Sequence, residues 1–431
     1  MQNRYSRATL VAIAIALATC APAQQNAGQS ASASSPVKLG AVRPGNLVLP
    51  QIAIQIGGDA NVGQTIQKDL ELADVAVTPT NTQGINAAAA ADSQGGQGIN
   101  YEAWTAAGVS YVLRGAANGA TGQAELYDVL RRQRMYGTSY QNAGDARRLA
   151  HKMADDAIQA ISGAPGIFSS RIVLLTGQAS GKREVAVMDP DGNNLTVLTQ
   201  ENAIVATPTW GRNGTEIFFT SYKDNNPDLY GITLDRRRFM VSRRPGLNTS
   251  PNWSERAQRL ALTLSKDGNT EIYTMAADGS GLARLTQNTA ADTAPVWSPD
   301  GTQIAFTSDE TGLPQIYIMS ANGSGRRNVS GSGYADSPAW SPDGRKLAYV
   351  KRESGGFNIY VQDLASGAST RITTSGDNME PSWAPNSKHL IYAGTRGGQR
   401  NIFLINTDTR QAKQLTTQGT FSSPVWGSLR P

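Results

Sequence analysis

The sequence has little of the two side chains that most often build redox and metal centres, with one cysteine and two histidines in 431 residues. Cys20 lies in an N-terminal segment that reads as a cleaved signal, which would leave the mature chain without a thiol for a disulfide or a thiolate site. His151 and His389 are far apart in sequence, so neither a histidine-rich metal site nor a Ser-His-Asp triad is easily built from them. We therefore expect structural histidines, no metal ion and no cofactor.

The excess of positive over negative charge is also small, because 39 basic residues nearly balance 34 acidic ones and leave a net charge of +5. No basic run is interleaved with aromatic side chains, so nucleic-acid binding has little support. The clusters at 236–238 and 243–244 are consistent with binding to anionic lipid or peptidoglycan, but a solvated loop is the favoured interpretation. A G-x-S-x-G nucleophile elbow is absent as well, which argues against a serine peptidase.

The N-terminus has the pattern of an export signal. Arg4 and Arg7 precede an apolar stretch at 8–18, and Ala21-Pro22-Ala23 supplies a small-residue cleavage site. The apolar stretch is too short for a permanent membrane span. We expect a signal peptide at 1–23, removed before Gln24, and a flexible polar leader at 24–36.

Residues 37–163 alternate strand and helix patterns, which predicts a small α/β domain. The predicted strands are 47–54, 109–113 and 124–130, and the predicted helices are 62–72 and 145–161. Gly163 is placed to end the second helix. The alanine- and glycine-rich run at 86–98 is interpreted as a loop insertion.

A repeat dominates the second half, because a Pro-x-Trp triplet recurs six times at intervals of 43 or 44 residues. Its tryptophans are Trp210, Trp253, Trp297, Trp340, Trp383 and Trp426. Each is followed by a turn and three short β-rich segments, which is the pattern of a four-stranded propeller blade. Their fixed place in every repeat favours packing between blades over stacking on a ligand.

The two ends of the repeat complement each other. Residues 171–199 contain the last three strands of a unit, and residues 421–427 contain a first strand with nothing after it. Joining them leaves no open sheet edge. We therefore expect an all-β six-bladed β-propeller at 164–431, closed by the C-terminal strand and preceded by the small α/β domain.

Several segments resemble the TolB family. The blade phrase APVWSPDGTQIAFTS at 294–308 resembles its propeller repeat, and RRLAHKMADD at 147–156 with SGAPGIFSSRI at 162–172 is similar to its helix and linker. NYEAWTAAG at 100–108 resembles its N-terminal domain. The resemblance implies a non-enzymatic periplasmic scaffold of the Tol-Pal system that supports outer-membrane integrity and constriction at division. A propeller that binds carbohydrate or peptidoglycan is the alternative.

The resemblance also implies two partners, the peptidoglycan-associated lipoprotein Pal and the inner-membrane protein TolA. The residues just before the Pro-x-Trp triplets, most of them polar, are the candidates for Pal, and we expect them in exposed turns on one rim of the channel. This rim set consists of Asn248, Thr249, Ser250, Asp292, Thr293, Asp336, Ser337, Met379 and Glu380. The TolA-binding candidates, from the start of the mature chain, are Lys38, Leu39, Val42, Arg43 and Leu47.

The export signal leads to a test on Cys20. An alternative interpretation takes residues 17–20 as a lipoprotein box with an acylated Cys20, but Thr19 is large for the position before such a cysteine. We expect intact-mass measurement of the protein purified from its own envelope to give an unmodified chain that begins at Gln24. A diacylglyceryl group on Cys20 would contradict this prediction.

Overall fold

The computed structural model describes residues 50–428 except 80–81, 95–97, 142 and 178–180. The described residues form two compact units, which divide between Ser170 and Arg171. The predicted signal peptide, the leader and the five TolA-binding candidates lie outside the described residues. Within the described ranges, the longest helices are too short or too polar to cross a membrane.

The first unit is a five-stranded sheet with helices. Its elements are β1 (Gln51–Gly58), α1 (Ala60–Leu72), β2 (Ala76–Val77), α2 (Gln83–Gln94), α3 (Tyr101–Ala106), β3 (Tyr111–Asn118), β4 (Thr121–Asp128), β5 (Gln133–Tyr140) and α4 (Ala146–Ser162). The strand order is β2-β1-β3-β4-β5. β1 runs parallel to β2 and β3, and the remaining pairs are antiparallel.

Helices α1 and α4 form where the sequence pattern predicts them. The Asp59 and Asp145 carboxylates cap them by accepting hydrogen bonds from the backbone N–H groups of Asn61 and Arg148. Gly163 ends α4 in the left-handed conformation with φ of +71°, which glycine adopts without a steric penalty. The buried faces of these helices carry the apolar residues that repeat every three to four positions.

The interpretation of 86–98 as a loop is wrong over much of its length, because α2 runs through Gln94. Alanine has the highest intrinsic helix propensity, and its small side chain lets the helix approach its neighbours closely. Ile85 and Ala88 are buried in one apolar cluster with Trp104 of α3. The Trp104 Nε1–H donates to the Asp92 carboxylate at 3.0 Å, which ties α2 to α3.

The second unit is a six-bladed β-propeller of four-stranded antiparallel sheets, counted over the described residues. Blade 1 consists of β29 (Thr420–Trp426), β6 (Ile172–Gly177), β7 (Arg183–Met188) and β8 (Thr196–Val197). Blade 2 consists of β9 (Val205–Trp210), β10 (Glu216–Ser221), β11 (Asp228–Thr233) and β12 (Arg238–Ser242). Blade 3 consists of β13 (Asn248–Ser254), β14 (Arg259–Leu264), β15 (Glu271–Met275) and β16 (Ala283–Arg284).

Blades 4 to 6 have the same arrangement. Blade 4 consists of β17 (Asp292–Trp297), β18 (Gln303–Ser308), β19 (Gln315–Ser320) and β20 (Arg327–Asn328). Blade 5 consists of β21 (Ala335–Trp340), β22 (Lys346–Glu353), β23 (Gly356–Asp363) and β24 (Ser369–Arg371). Blade 6 consists of β25 (Asp377–Trp383), β26 (His389–Arg396), β27 (Gln399–Asn406) and β28 (Ala412–Gln414). In every blade the strand that ends in tryptophan is at one side of the sheet.

The C-terminal strand completes blade 1. β29 pairs antiparallel with β6, with Trp426 opposite Ile172, and the Gly427 N–H donates to the Arg171 carbonyl at 2.8 Å. Phe421 and Trp426 of this strand are 4% and 7% exposed. The ring of blades is therefore closed by hydrogen bonds and apolar packing between the two ends of the unit.

Removal of this strand should open the ring. Deleting residues 420–428 would expose the edge of β6 and remove two buried aromatic side chains, each worth about 3–5 kcal/mol when truncated. We expect a large fall in melting temperature and aggregation, measured by circular dichroism and light scattering. Inserting the same nine residues between Ser170 and Arg171 of the truncated chain should restore the strand and the stability. A truncated chain that melts like the full-length protein would contradict this account of closure.

Candidate functional site

The first strands of the six blades surround a central channel. These inner strands are β29, β9, β13, β17, β21 and β25, and they enclose a cavity of about 500 Å³. Each inner strand packs against the inner strands of both neighbouring blades. The channel wall is therefore made by one repeated segment, the one that carries Pro-x-Trp.

The residue before each proline has a positive φ, between 47° and 58°, although none of the six is glycine. These residues are Thr207, Ser250, Ala294, Ser337, Glu380 and Ser423, and all six line the cavity. The pairing of each inner strand with its neighbour shifts register at this point, which defines a β-bulge. Such strained positions persist only where surrounding packing holds them, so the bulges fix the channel wall.

The rim set lies within the inner strands rather than in exposed turns, which corrects the expectation from the sequence. Thr249, Ser250, Thr293, Asp336, Ser337 and Glu380 line the channel. Asn248 and Asp292 are fully buried, where Asn248 accepts from the Ser242 hydroxyl and Asp292 from the Asn288 amide. Met379 is half-buried and is not part of the channel lining. The sequence pattern suggests turns before each proline, whereas the structure pairs these residues with the second strand of each blade and accommodates the proline at a β-bulge.

Hydroxyl groups connect the inner strands of blades 2 and 3. The side-chain oxygens of Thr207, Thr220 and Thr249 lie 3.2 to 3.4 Å apart, and the backbone N–H of Ser250 donates to Thr207 Oγ1 at 3.2 Å. Thr249 is only 9% exposed. Its hydroxyl therefore contributes to the contact between two blades and is not a free surface group.

Carboxylates occupy the other side of the channel, on blades 5 and 6. Asp336 accepts from the Thr307 hydroxyl at 2.9 Å and from the Ser337 N–H at 2.6 Å, and burial raises the pKa of its carboxyl. Glu380 accepts from the Ser423 N–H at 2.7 Å and from the Arg400 guanidinium at 3.1 Å. The channel is thus chemically asymmetric at the bulges, since blades 5 and 6 bring the Asp336 and Glu380 carboxylates to the wall whereas blades 2 and 3 meet through threonine hydroxyls.

The tryptophans lie at the contacts between blades. The Nε1–H of Trp383 donates to the Ala339 carbonyl at 3.0 Å, and that of Trp210 donates to Val425 at 3.1 Å, in each case on the preceding blade. The backbone N–H of Trp297 donates to Asn252 Oδ1 of the preceding blade at 2.8 Å. Since Trp297, Trp383 and Trp426 are at most 7% exposed, little of their ring faces is available for stacking on a ligand.

Some residues of the site were not identified from the sequence. Arg183 and Tyr222 line the channel although they lie outside the Pro-x-Trp segments, and Arg183 donates to the Ser422 hydroxyl at 2.9 Å. Arg400, the partner of Glu380, is on the third strand of its blade. No local motif marks these positions, because their role depends on how strands distant in sequence meet.

Comparison with known proteins agrees with this fold. The family model described as the TolB beta propeller domain (PD40) matches residues 158–430. The chain is similar to the Tol-Pal system protein TolB of Anaeromyxobacter dehalogenans strain 2CP-C, with 34% identity over 181 residues that span 42% of each chain. It is also similar to TolB of Bordetella avium, with 32% identity over 159 residues. The matched segments thus span less than half the length of these curated relatives.

A solved structure covers more of the chain. The crystal structure of TolB from Acinetobacter baumannii is similar to this protein with a TM-score of 0.79 and 27% sequence identity. The match covers 88% of this chain and 96% of that one. The similarity therefore extends beyond the propeller into the first unit.

The buried carboxyl of Asp336 should make stability depend on pH. Burial raises its pKa above the unfolded value of 3.8, so the stability that the protonated form contributes is present below that value and is lost as pH rises through the folded pKa. Asn retains acceptor capacity for Thr307 and Ser337 and carries no charge. We expect the difference in melting temperature between Asp336→Asn and wild type to shift in favour of the variant as the pH rises from 4 to 7.

Asp300 provides the control with the opposite sign. The Ser298 hydroxyl lowers the pKa of this exposed turn carboxyl, so its stabilising contribution is present above 3.8 and is lost on acidification. Asp300→Asn should be less stable than wild type at pH 7 and should approach it at pH 3. Parallel pH profiles for the two variants would contradict the assignment.

Proposed function

Because this chain belongs to the TolB β-propeller family, we propose that it is a non-enzymatic periplasmic scaffold of a Tol-Pal system. In this role it supports the integrity of the outer membrane and constriction at cell division. The observation that carries the proposal is the channel wall, in which one bulge per blade presents a fixed set of polar side chains. The curated relatives are Tol-Pal system proteins by name.

The proposed contact for Pal is the mouth of the channel where the inner strands begin. Thr293, Ser337 and Glu380 line the channel near this mouth, together with Arg183 and Tyr222. The bulges hold these groups in place before a partner arrives, so little conformational entropy would be lost on binding. A partner with complementary polar groups and an apolar side chain of the right size would fit between the hydroxyl and carboxylate sides.

Thr293 is suited to a test because it is half-buried at the channel and carries a small side chain. Arginine at this position would place a long charged side chain in the mouth. We expect Thr293→Arg to weaken Pal binding at least about tenfold in titration calorimetry, since a steric clash and an unpaired charge would meet the partner. Thr249 is unsuitable for this purpose, because its hydroxyl joins two blades.

Thr302 provides the matched control on the same blade. It is exposed in the turn after Trp297, at the opposite end of the inner strand. Thr302→Arg introduces the same side chain and should change the affinity for Pal by less than about twofold. Equal affinities of the wild type and a folded Thr293→Arg variant would place the Pal contact elsewhere.

The proposed TolA contact is the segment that contains Lys38, Leu39, Val42, Arg43 and Leu47. This assignment is supported by the family resemblance. A synthetic peptide of residues 37–49 should bind purified TolA in fluorescence anisotropy, and the full-length protein lacking these residues should not. Retained binding by the shortened protein would contradict the assignment.

A further inference from the structure

The outermost strands of the six blades differ in one respect. Among the described residues, the outermost strands of blades 2 to 6 each carry a basic residue within their bounds: Arg238, Arg284, Arg327, Arg371 and Lys413. Charged side chains on edge strands oppose pairing with another chain. The outermost strand of blade 1, β8, consists of Thr196 and Val197 and carries no charge. It is therefore the edge that lacks this protection.

The outer side of β8 has groups that another strand could pair with. The Leu198 N–H donates to the Val185 carbonyl at 2.8 Å, which makes Leu198 and Val185 a hydrogen-bonded pair. Because such pairs alternate along an antiparallel ladder, the next pair, Val197 with Ala186, is not hydrogen-bonded. The N–H and C=O groups of Val197 therefore point away from β7. Leu195 and Val197, two residues apart, are 42% and 40% exposed. β8 thus presents outward main-chain groups beside two apolar side chains.

A change in the neighbouring blade leaves space next to this edge. The hairpins before the outermost strands of blades 1, 3 and 4 turn at Gly192, Gly279 and Gly323, each closed by a hydrogen bond to the residue three positions earlier. A Cβ at these glycines would lie 2.3 to 2.6 Å from a carbonyl oxygen of the preceding blade, at the end of its outermost strand or one residue after it. Glycine is therefore required for this close approach.

Blade 2 has Arg236 at the equivalent position, with φ of +70° and the same hydrogen bond to Thr233. Because arginine has a Cβ, the turn cannot pack as the glycine turns do. Its guanidinium instead reaches over β8 and donates to the Val197 carbonyl at 3.1 Å. The result is a cleft of about 620 Å³ lined by residues 195–200 and Arg236.

We propose that the β8 edge binds an extended, acidic polypeptide segment of a partner protein by strand addition. Main-chain hydrogen bonds to Val197 provide the pairing, and Leu195 and Val197 pack against alternate apolar side chains of the added strand. The segment is acidic because Arg236 is the charged side chain that lines the cleft. When the segment binds, one of its carboxylates accepts hydrogen bonds from the Arg236 guanidinium. The guanidinium then no longer donates to the Val197 carbonyl, which becomes available to the added strand. This surface is separate from the channel and does not depend on the Pal proposal.

The test uses a synthetic peptide, acetyl-Thr-Val-Glu-Val-Glu-Val-Thr-amide with a fluorescent label, and the full-length protein. We expect saturable binding in fluorescence anisotropy and slower hydrogen exchange of the Val197 amide in the presence of the peptide. A second peptide with lysines in place of the glutamates should bind at least about tenfold more weakly, since it would meet Arg236 with like charge. Equal binding of the two peptides would overturn the proposal.

Two variants test the edge itself. Val197→Glu places a negative charge on β8, and Arg236→Gly restores the turn residue of blades 1, 3 and 4. Each should reduce affinity for the acidic peptide at least about fivefold, because the first repels the glutamates of the peptide and the second removes the cation. Met240→Glu is the matched control, since Met240 is 42% exposed against 40% for Val197 but lies on β12, which carries Arg238.

Thermal melts separate loss of binding from loss of folding, and all three variants should melt close to wild type because the changed side chains are exposed. Unchanged peptide affinity in a folded Val197→Glu variant would overturn the proposal. A second outcome would also overturn it in favour of a lipid contact. In that outcome the wild type binds no peptide but is retained on anionic phosphatidylglycerol vesicles, and Arg236→Gly is not retained.

Discussion

The bulge before each Pro-x-Trp proline is the constraint on which the propeller depends. A residue other than glycine with φ near +50° is strained, and the strain is tolerated at six positions because each inner strand is held by a neighbour on both sides. The bulge places the following tryptophan at the contact with the preceding blade, where Trp383 and Trp210 donate hydrogen bonds across the gap. Backbone geometry therefore sets the channel wall and the blade contacts together.

The repeat makes the backbone nearly six-fold symmetric, and the side chains remove that symmetry. Blades 2 and 3 meet through threonine hydroxyls, whereas blades 5 and 6 bring Asp336 and Glu380 to the channel. Burying a carboxyl costs free energy unless donors compensate for lost hydration, and Asp336 receives several. A symmetric channel would present the same surface to a partner in six orientations. The uneven distribution of hydroxyl and carboxyl groups makes these six orientations unequal.

On the outer surface, as in the channel, the residues that differ from the repeat are the ones that give a blade its distinct chemistry. The hairpins of blades 1, 3 and 4 pack a glycine against the preceding blade, and the outermost strands of blades 2 to 6 carry a basic residue. The outermost strand of blade 1 carries no charged residue, and the hairpin of blade 2 beside it has Arg236 in place of glycine. Inside the channel the departures are Asp336 and Glu380, and at the outer edge the departure is Arg236. Regular positions build the ring, and irregular ones give it distinct surfaces.

Sequence alone determined the six blades, because Pro-x-Trp and its turns act within one repeat and recur at fixed spacing. The helices at 60–72 and 146–162 were also predictable from their periodic apolar faces and caps. Tertiary structure decided that the alanine-rich run forms a helix, since burial against Trp104 is a contact between separate elements. It likewise decided that Thr249 is buried, that Arg400 supports Glu380 and that Arg236 opens a cleft. Those outcomes depend on distances between strands far apart in the chain, which local patterns do not contain.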